Sequence, residues 1–261
     1  LLILHPDLKK KFSTEPDSFA QIMALKGEVY RQLEGRCTQK FIYEKKAYFI
    51  KQHTGVGWKE IFKNLLQFKL PILSAKNEWL AIQRLQELNI AVPEVVGYGC
   101  RGINPAARRS FIITRALAEN ISLEELGQHW RQHPPTFCNK QSLIKEVARI
   151  ARTLHQYGIN HRDFYICHFL LDLSMPSSAG LNLYLIDLHR AGLRKHISMR
   201  WVVKDLAALY FSCKKIGLTR RDLLRFIKHY RNKMLPAILK KETLFWRKVE
   251  EHGDKLYKQH E

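Results

Sequence analysis

Between Val29 and Lys51 apolar and polar residues alternate in three short runs, Val29–Leu33, Thr38–Tyr43 and Ala47–Lys51, broken at Glu34-Gly35-Arg36 and Glu44-Lys45-Lys46. A period of two with turn-forming interruptions predicts three antiparallel strands in a meander. The period then lengthens. Trp58, Ile61, Phe62, Leu65, Leu66 and Phe68 alternate with Lys59, Lys63 and Lys69, a helical spacing that Pro71 closes. Trp79, Ile82, Leu85 and Leu88 place a second helix over 75–88. An extended pair follows, Glu94–Tyr98 and Ser110–Thr114, around the basic, turn-rich segment 100–109. The first half therefore predicts a five-stranded antiparallel sheet with helical structure inserted after its third strand.

From Ser122 the pattern is mainly helical. Ser122–Trp130 opens with a Ser-x-x-Glu capping pattern, and Ser142–Tyr157 ends at Gly158. A strand-like run to Leu173 and a strand over Leu181–Asp187 precede helices at 202–216, 219–230 and 243–257. The fold class expected is α+β: a weakly patterned N-terminal extension over 1–24, a β-rich N-lobe over 25–117 and an α-rich C-lobe over 118–261, the lobes sharing a cleft.

Composition adds the company to expect. Of 261 residues, 46% are hydrophobic and 11% aromatic, which sustains a packed core. A net charge of +20 and a pI near 9.8 favour an anionic partner: nucleic acid, a phosphorylated substrate, an anionic membrane or an acidic protein. The basic residues are dispersed and no base-reading motif occurs, which argues against nucleic acid. The cysteines Cys37, Cys100, Cys138, Cys167 and Cys213 are scattered with no Cys-x-x-Cys pair, the usage of reduced thiols. No apolar run reaches the roughly 20 residues that span a bilayer. The apolar Leu1–Leu4 precedes basic Lys9–Lys11, the reverse of a signal peptide's order, so a cytoplasmic location is expected.

The chemistry gathers in Gly158–Leu173, where His161-Arg162-Asp163 is followed by an apolar run and then by Ile186-Asp187-Leu188. Phosphoryl transfer depends on alignment and charge compensation more than on covalent chemistry, and each part has a candidate in order. Lys51 ends the third strand, where a cation reaches toward α- and β-phosphates. Glu78, on the helix over 75–88, would hold that ammonium. The Gly35 turn would offer backbone N–H groups to a nucleotide. Asp163 would orient an acceptor hydroxyl and receive its proton, and Asp187 would hold Mg²⁺. Singly, each has a plainer reading: Lys51 a solvated strand end, Glu78 a solvated helix face, Gly35 a hairpin glycine, Asp187 a turn residue. Asp205 reads as a helix cap or, in a kinase, as a buried anchor for the catalytic loop. The ordered set carries the inference. A zinc site at His161, Asp163, Cys167 and His168 matches no familiar spacing. A Cys167–His168 nucleophile would place neighbours on opposite faces of a strand. His53-Thr54-Gly55-Val56-Gly57 lacks the ending of a phosphate-binding P-loop.

These residues resemble the lipopolysaccharide core heptose(I) kinase family, which has a protein-kinase-like fold. The likeness runs from about Leu25 onward and rests on Lys26–Arg31, Glu34–Thr38, Tyr48–Trp58, Lys63–Leu66, Asn77-Glu78-Trp79, Asn160–Leu171, Ile186–Arg190 and Lys204–Ala207. The string Asn-His-Arg-Asp-x-Tyr-Ile-Cys-His-Phe is far more specific than a general kinase motif. The resemblance implies ATP- and Mg²⁺-dependent phosphorylation at O-4 of the first heptose of the lipopolysaccharide inner core. It implies Asp163 as catalytic aspartate, Asp187 as metal ligand and Lys51 as phosphate-binding lysine, with Glu78 its partner unless another acidic residue serves.

The sequence departs from general protein kinases in two places. His168 stands five positions after Asp163, where a kinase has a metal-binding Asn. Imidazole suits Mg²⁺ poorly, so the expectation is either one tightly held Mg²⁺ or direct contact of His168 with phosphate. Asp-Leu-His replaces Asp-Phe-Gly, and the short segment 191–199 offers Ser198 without an evident phospho-switch, so a constitutively competent enzyme is expected. The resemblance further implies a lipid-linked acceptor and, with it, a place at the cytoplasmic face of the inner membrane. The basic, amphipathic segment Trp58–Leu70 either lies on that anionic surface or packs on the N-lobe. A small acidic carrier protein would also suit the charge. Arg108, Arg109, Arg194, Lys195 and Arg200 are candidates for gripping substrate anions. The alternatives are a Kdo kinase, a small-molecule kinase of the aminoglycoside type, a nucleic-acid-binding protein and a catalytically dead scaffold.

Overall fold

A computed structural model of the chain describes residues 1–12, 17–33, 35–66, 71–130, 132–174 and 181–260. It divides into two compact units, 1–84 with 93–118, and 85–92 with 119–261.

The first unit is built on a six-stranded antiparallel sheet. Its strands are β1 (Leu2–Leu4), β2 (Glu28–Leu33), β3 (Arg36–Tyr43), β4 (Lys46–His53), β5 (Val95–Arg101) and β6 (Arg109–Arg115). Their order is β1-β5-β6-β4-β3-β2. Five of these match the alternating runs. The sixth is a correction: residues 1–24 are not an appended extension. β1 pairs with β5, with Ile3 opposite Tyr98. The helices α1 (Pro6–Phe12) and α2 (Ser18–Met23) press Leu8, Phe12, Phe19 and Ile22 into one core with Tyr48, Ile50 and Phe111. A buried amide relay fixes this packing, Gln39 Nε2 donating to Gln52 Oε1 at 2.9 Å and Gln52 Nε2 to the Ile22 carbonyl at 3.0 Å.

Strand alternation then orients β4. Tyr48, Ile50 and Gln52 face the core, so Lys51 projects from the opposite face. Helix α3 (Gly57–Leu66) forms where predicted, and the remaining predicted positions, 67–70, lie outside the described residues. It buries Ile61 and leaves Trp58, Phe62, Leu65 and Leu66 exposed, so most of its apolar face does not pack on its own unit. Helix α4 (Lys76–Glu87) begins where the Ala75 N–H donates to the buried Ser110 Oγ at 3.0 Å.

The second unit is mainly helical: α5 (Leu123–His129), α6 (Phe137–Gln156), α7 (Met199–Cys213), α8 (Arg220–Arg231) and α9 (Leu235–His260), the last kinked at Glu242. α6 starts earlier than the apolar period suggests because Thr136 caps it, its side chain accepting from the Asn139 N–H. Short strands thread between the helices. β7 (Asn120–Ser122), β9 (Phe169–Asp172) and β10 (Leu183–Leu185) form one ribbon in the order β10-β9-β7, and β8 (Ile159–Asn160) pairs with β11 (Gly192–Leu193). α6, α7, α8 and α9 line an open apolar pocket of about 730 Å³ whose walls include Leu143, Leu209, Ile227 and Trp246.

Candidate active site

In the first unit, Lys51 Nζ donates to Glu78 Oε1 at 2.7 Å. Lys51 stands at mid-sheet, opposite Thr38 of β3 and Ile112 of β6. Glu78 lies in the first turn of α4, whose entry Ser110 fixes, and is only 4% exposed. Its second oxygen, Oε2, is buried without a hydrogen-bond partner, so the carboxylate is committed to the lysine. The turn at Gly35 adopts φ +72°, and its carbonyl accepts from the Thr54 N–H at 2.9 Å. A side chain at Gly35 would collide with the Gly55 carbonyl, so the close approach of these two segments requires glycine. Glu34 of this turn lies outside the described residues.

In the second unit, the loop after β8 is held from beneath. Asp205 of α7 is wholly buried and accepts from the His161 N–H at 2.7 Å and the Arg162 N–H at 2.9 Å. His161 is also fully buried, its Nε2 3.0 Å from the Ile186 carbonyl, and burial pushes its pKa down, so the ring is neutral. Arg162 takes φ +73°, a left-handed turn that the two amide bonds to Asp205 stabilise. Asp163 follows directly. The Ile186 N–H donates to the His168 carbonyl at 3.0 Å, which ties the segment carrying Asp187 to the same loop.

His168 joins the two aspartates. Its Nδ1 lies 2.7 Å from the Asp163 carbonyl and therefore carries the proton, while Nε2 lies 3.7 Å from Asp187 Oδ2. Asp187 has φ +62°, and its Oδ1 accepts from His189 Nδ1 at 2.6 Å. The Arg190 guanidinium donates to Asp163 Oδ1 at 2.6 Å. The structure thus brings Asp163, His168 and Asp187 together in one unit and Lys51 with Glu78 in the other.

The remaining sequence candidates divide. Arg108 spends its guanidinium on the Gly102 and Ile103 carbonyls at 3.3 and 3.2 Å. Arg109 and Lys195 are exposed, whereas Arg194 and Arg200 converge on Trp201. The roles of His189 and Arg190 went unread in the sequence, although both belong to the quoted run Ile186–Arg190; a cation three positions after a candidate metal aspartate is the signal. Burial pushes the Cys167 thiol up to about 11, against a thiolate nucleophile. Among the described residues no group of three or more His, Cys, Asp or Glu could hold a metal ion unaided.

Known proteins share this chain's sequence and fold. Residues 20–230 match the model of the lipopolysaccharide kinase (Kdo/WaaP) family. The chain is 47% identical over 257 residues to the lipopolysaccharide core heptose(I) kinase WaaP of Pseudomonas aeruginosa, covering 98% of this chain and 96% of that one. It is 45% identical over 254 residues to the Escherichia coli protein of the same name, covering 96% of each. Among solved structures, WaaP in complex with acyl carrier protein superposes with a TM-score of 0.84 at 42% identity, covering 98% of this chain and 99% of that one. The fold is kinase-like, and the chain belongs to the lipopolysaccharide kinase (Kdo/WaaP) family.

Proposed function

We propose that the protein is an ATP-dependent kinase that phosphorylates O-4 of the first heptose of the lipopolysaccharide inner core. Near-full-length identity to heptose(I) kinases supports the activity, and the observation that carries the chemistry is the single loop holding Asp163 beside His168 and Asp187. Asp163 orients the acceptor hydroxyl and takes its proton as the phosphoryl group arrives. Arg190 fixes the rotamer of that carboxylate. Lys51, held by Glu78, contacts the α- and β-phosphates, and the Gly35 turn presents backbone N–H groups to the nucleotide.

Asp187 is the residue for Mg²⁺. One carboxylate fits an ion that arrives on the nucleotide, because Mg²⁺ is commonly held by one or two carboxylates together with substrate phosphates and water. The ion, when bound, neutralises charge on the phosphates. His168, with Nδ1 committed to the Asp163 carbonyl, turns Nε2 toward the same place and suits phosphate contact better than a second metal.

The acceptor is membrane-linked, and the exposed apolar residues of α3, flanked by Lys59 and Lys63, supply a surface for an anionic leaflet at the cytoplasmic face of the inner membrane. No helix among the described residues is long and apolar enough to cross a membrane. A small acidic carrier protein is the further partner: the net charge of +20 suits one, and the apolar pocket of about 730 Å³ suits an acyl chain.

The test is Asp163→Ala against wild type on purified, dephosphorylated core acceptor. A fall of about 10³-fold or more in kcat with ATP binding retained is expected, and retained turnover would remove Asp163 from the mechanism. Acceptors with and without heptose distinguish this kinase from a Kdo kinase of the same family.

A further inference from the structure

Four cations of the second unit close on one indole. The Arg162 guanidinium lies 4.9 Å from the Trp201 ring centroid, Lys204 Nζ 5.0 Å, Arg194 5.5 Å and Arg200 6.0 Å. Several other cations of this unit sit on carboxylates: Arg190 on Asp163, Lys214 on Asp254, Arg231 on Glu242. None of the four around Trp201 forms an ion pair with a described residue. Arg194 bonds the neutral Asn160 Oδ1, and Arg162 Nε is buried without a hydrogen-bond partner. Burial and the neighbouring Arg194 and Arg190 lower the pKa of Arg162 against the opposing pull of Asp205 and Asp163, and burial with Arg200 and Arg162 lowers that of Lys204. The ring's electron-rich faces attract single cations but do not cancel the mutual repulsion of four. Such a concentration of cations without a paired carboxylate is what an oxyanion completes.

The place of the cluster says which oxyanion. Arg162 immediately precedes Asp163, and Arg190, whose charge also acts on Arg162, is bonded to Asp163 itself. The group recognised here therefore belongs to the molecule whose hydroxyl Asp163 receives. We propose that Arg162, Arg194, Arg200 and Lys204 around Trp201 form a subsite for a phosphate or carboxylate group of the acceptor, which sets the hydroxyl on Asp163. The assignment rests on the kinase reading of Asp163 and adds a positioning role for cations that form no ion pair with a described residue. Arg200 and Lys204 are exposed and bond no other described residue, so their removal leaves the fold intact.

The experiment has a binding arm and a kinetic arm, both on the full chain. Inorganic phosphate is titrated calorimetrically into wild type and into the Arg200→Ala/Lys204→Ala double variant, with Arg109→Ala as a control for loss of one surface cation. The double variant should bind phosphate at least tenfold more weakly, and Arg109→Ala should match wild type. With core acceptor, the double variant should raise the acceptor KM tenfold or more while the KM for ATP is unmoved, and Arg200→Lys should keep most of the affinity. Wild type given an acceptor stripped of its anionic groups should show the same weakened KM. Equal phosphate affinity in wild type and double variant, or an unchanged acceptor KM, would overturn the subsite. If wild type transfers phosphate to no sugar yet binds inorganic phosphate through these residues, the kinase reading fails while the oxyanion site survives.

Discussion

At Arg162 the backbone and the side chain occupy opposite electrostatic surroundings. The amide, with that of His161, is bonded to one wholly buried carboxylate, Asp205, at 2.9 and 2.7 Å. The guanidinium, a few bonds away, stands among three other cations with no carboxylate paired to any of them. The first arrangement is complete without a ligand: donors and acceptors match, and it holds a left-handed turn that ordinary residues avoid. The second is incomplete, with repulsion left standing where the acceptor is expected. Satisfied polar groups mark what the chain uses to hold its shape, and unsatisfied charge beside them marks what it uses to recognise something else.

The largest effect should come from breaking the satisfied side. Asp205→Ala leaves one buried and one half-buried amide without an acceptor and removes the charge beside His155, whose Nε2 lies 3.5 Å from Asp205 Oδ2. A loss of about 3–5 kcal/mol is expected, read as a lower denaturation midpoint, with kcat abolished because Asp163 loses its support. Asp205→Asn keeps one acceptor oxygen and should recover part of the stability. An Asp205→Ala protein as stable as wild type would mean the loop is held by something other than these bonds.

A smaller effect is expected in the first unit, where one oxygen of the buried Glu78 carboxylate holds one ammonium at 2.7 Å and the other has no hydrogen-bond partner. Glu78→Gln keeps the shape and removes the charge. Stability should fall by no more than about 1–2 kcal/mol, while the KM for ATP rises tenfold or more and the acceptor KM stays constant. An unchanged ATP KM would reduce the pair to a structural contact.

How much of this was legible in the sequence follows from what periodicity records. The alternation through β2, β3 and β4 and the helical spacing of α4 sit in single runs, so Lys51 and Glu78 could be set in order before their pairing was seen. Asp205 was readable as an anchor because it stands in the quoted run Lys204–Ala207. Residues 1–24 were misread for the converse reason. β1 is three residues long, α1 seven and α2 six, too short to establish a period, and the burial of Leu8, Phe12 and Ile22 comes from packing against residues far along the chain, Tyr48, Val96 and Phe111 among them. The Trp201 cluster was invisible for a similar reason. Arg162, Arg194, Arg200 and Lys204 lie on a loop, a strand end and a helix start, and only the pairing of β8 with β11 and the bonds to Asp205 bring them to one ring.

The smallest effect probes the same loop through pH. His161 is fully buried, and burial holds its pKa below the ordinary 6.5 despite the opposing pull of Asp205. In the unfolded chain the imidazole takes up a proton near that ordinary value, whereas in the folded loop it does not. Below pH 6.5 the unfolded state therefore binds the extra proton, and stability falls as pH drops toward the depressed folded value. One such proton sets a slope of at most about 1.4 kcal/mol per pH unit. Above pH 6.5 this contribution is fully present and flat. Amide exchange at His161 and Arg162 should accelerate as pH falls from 6.5 to 5.5, after correction for intrinsic exchange, and His161→Gln should lose that component. Exchange that is flat through this interval would mean the ring is protonated in the folded loop, and the neutral hydrogen bond between Nε2 and the Ile186 carbonyl would then have to be reassigned as a charged one.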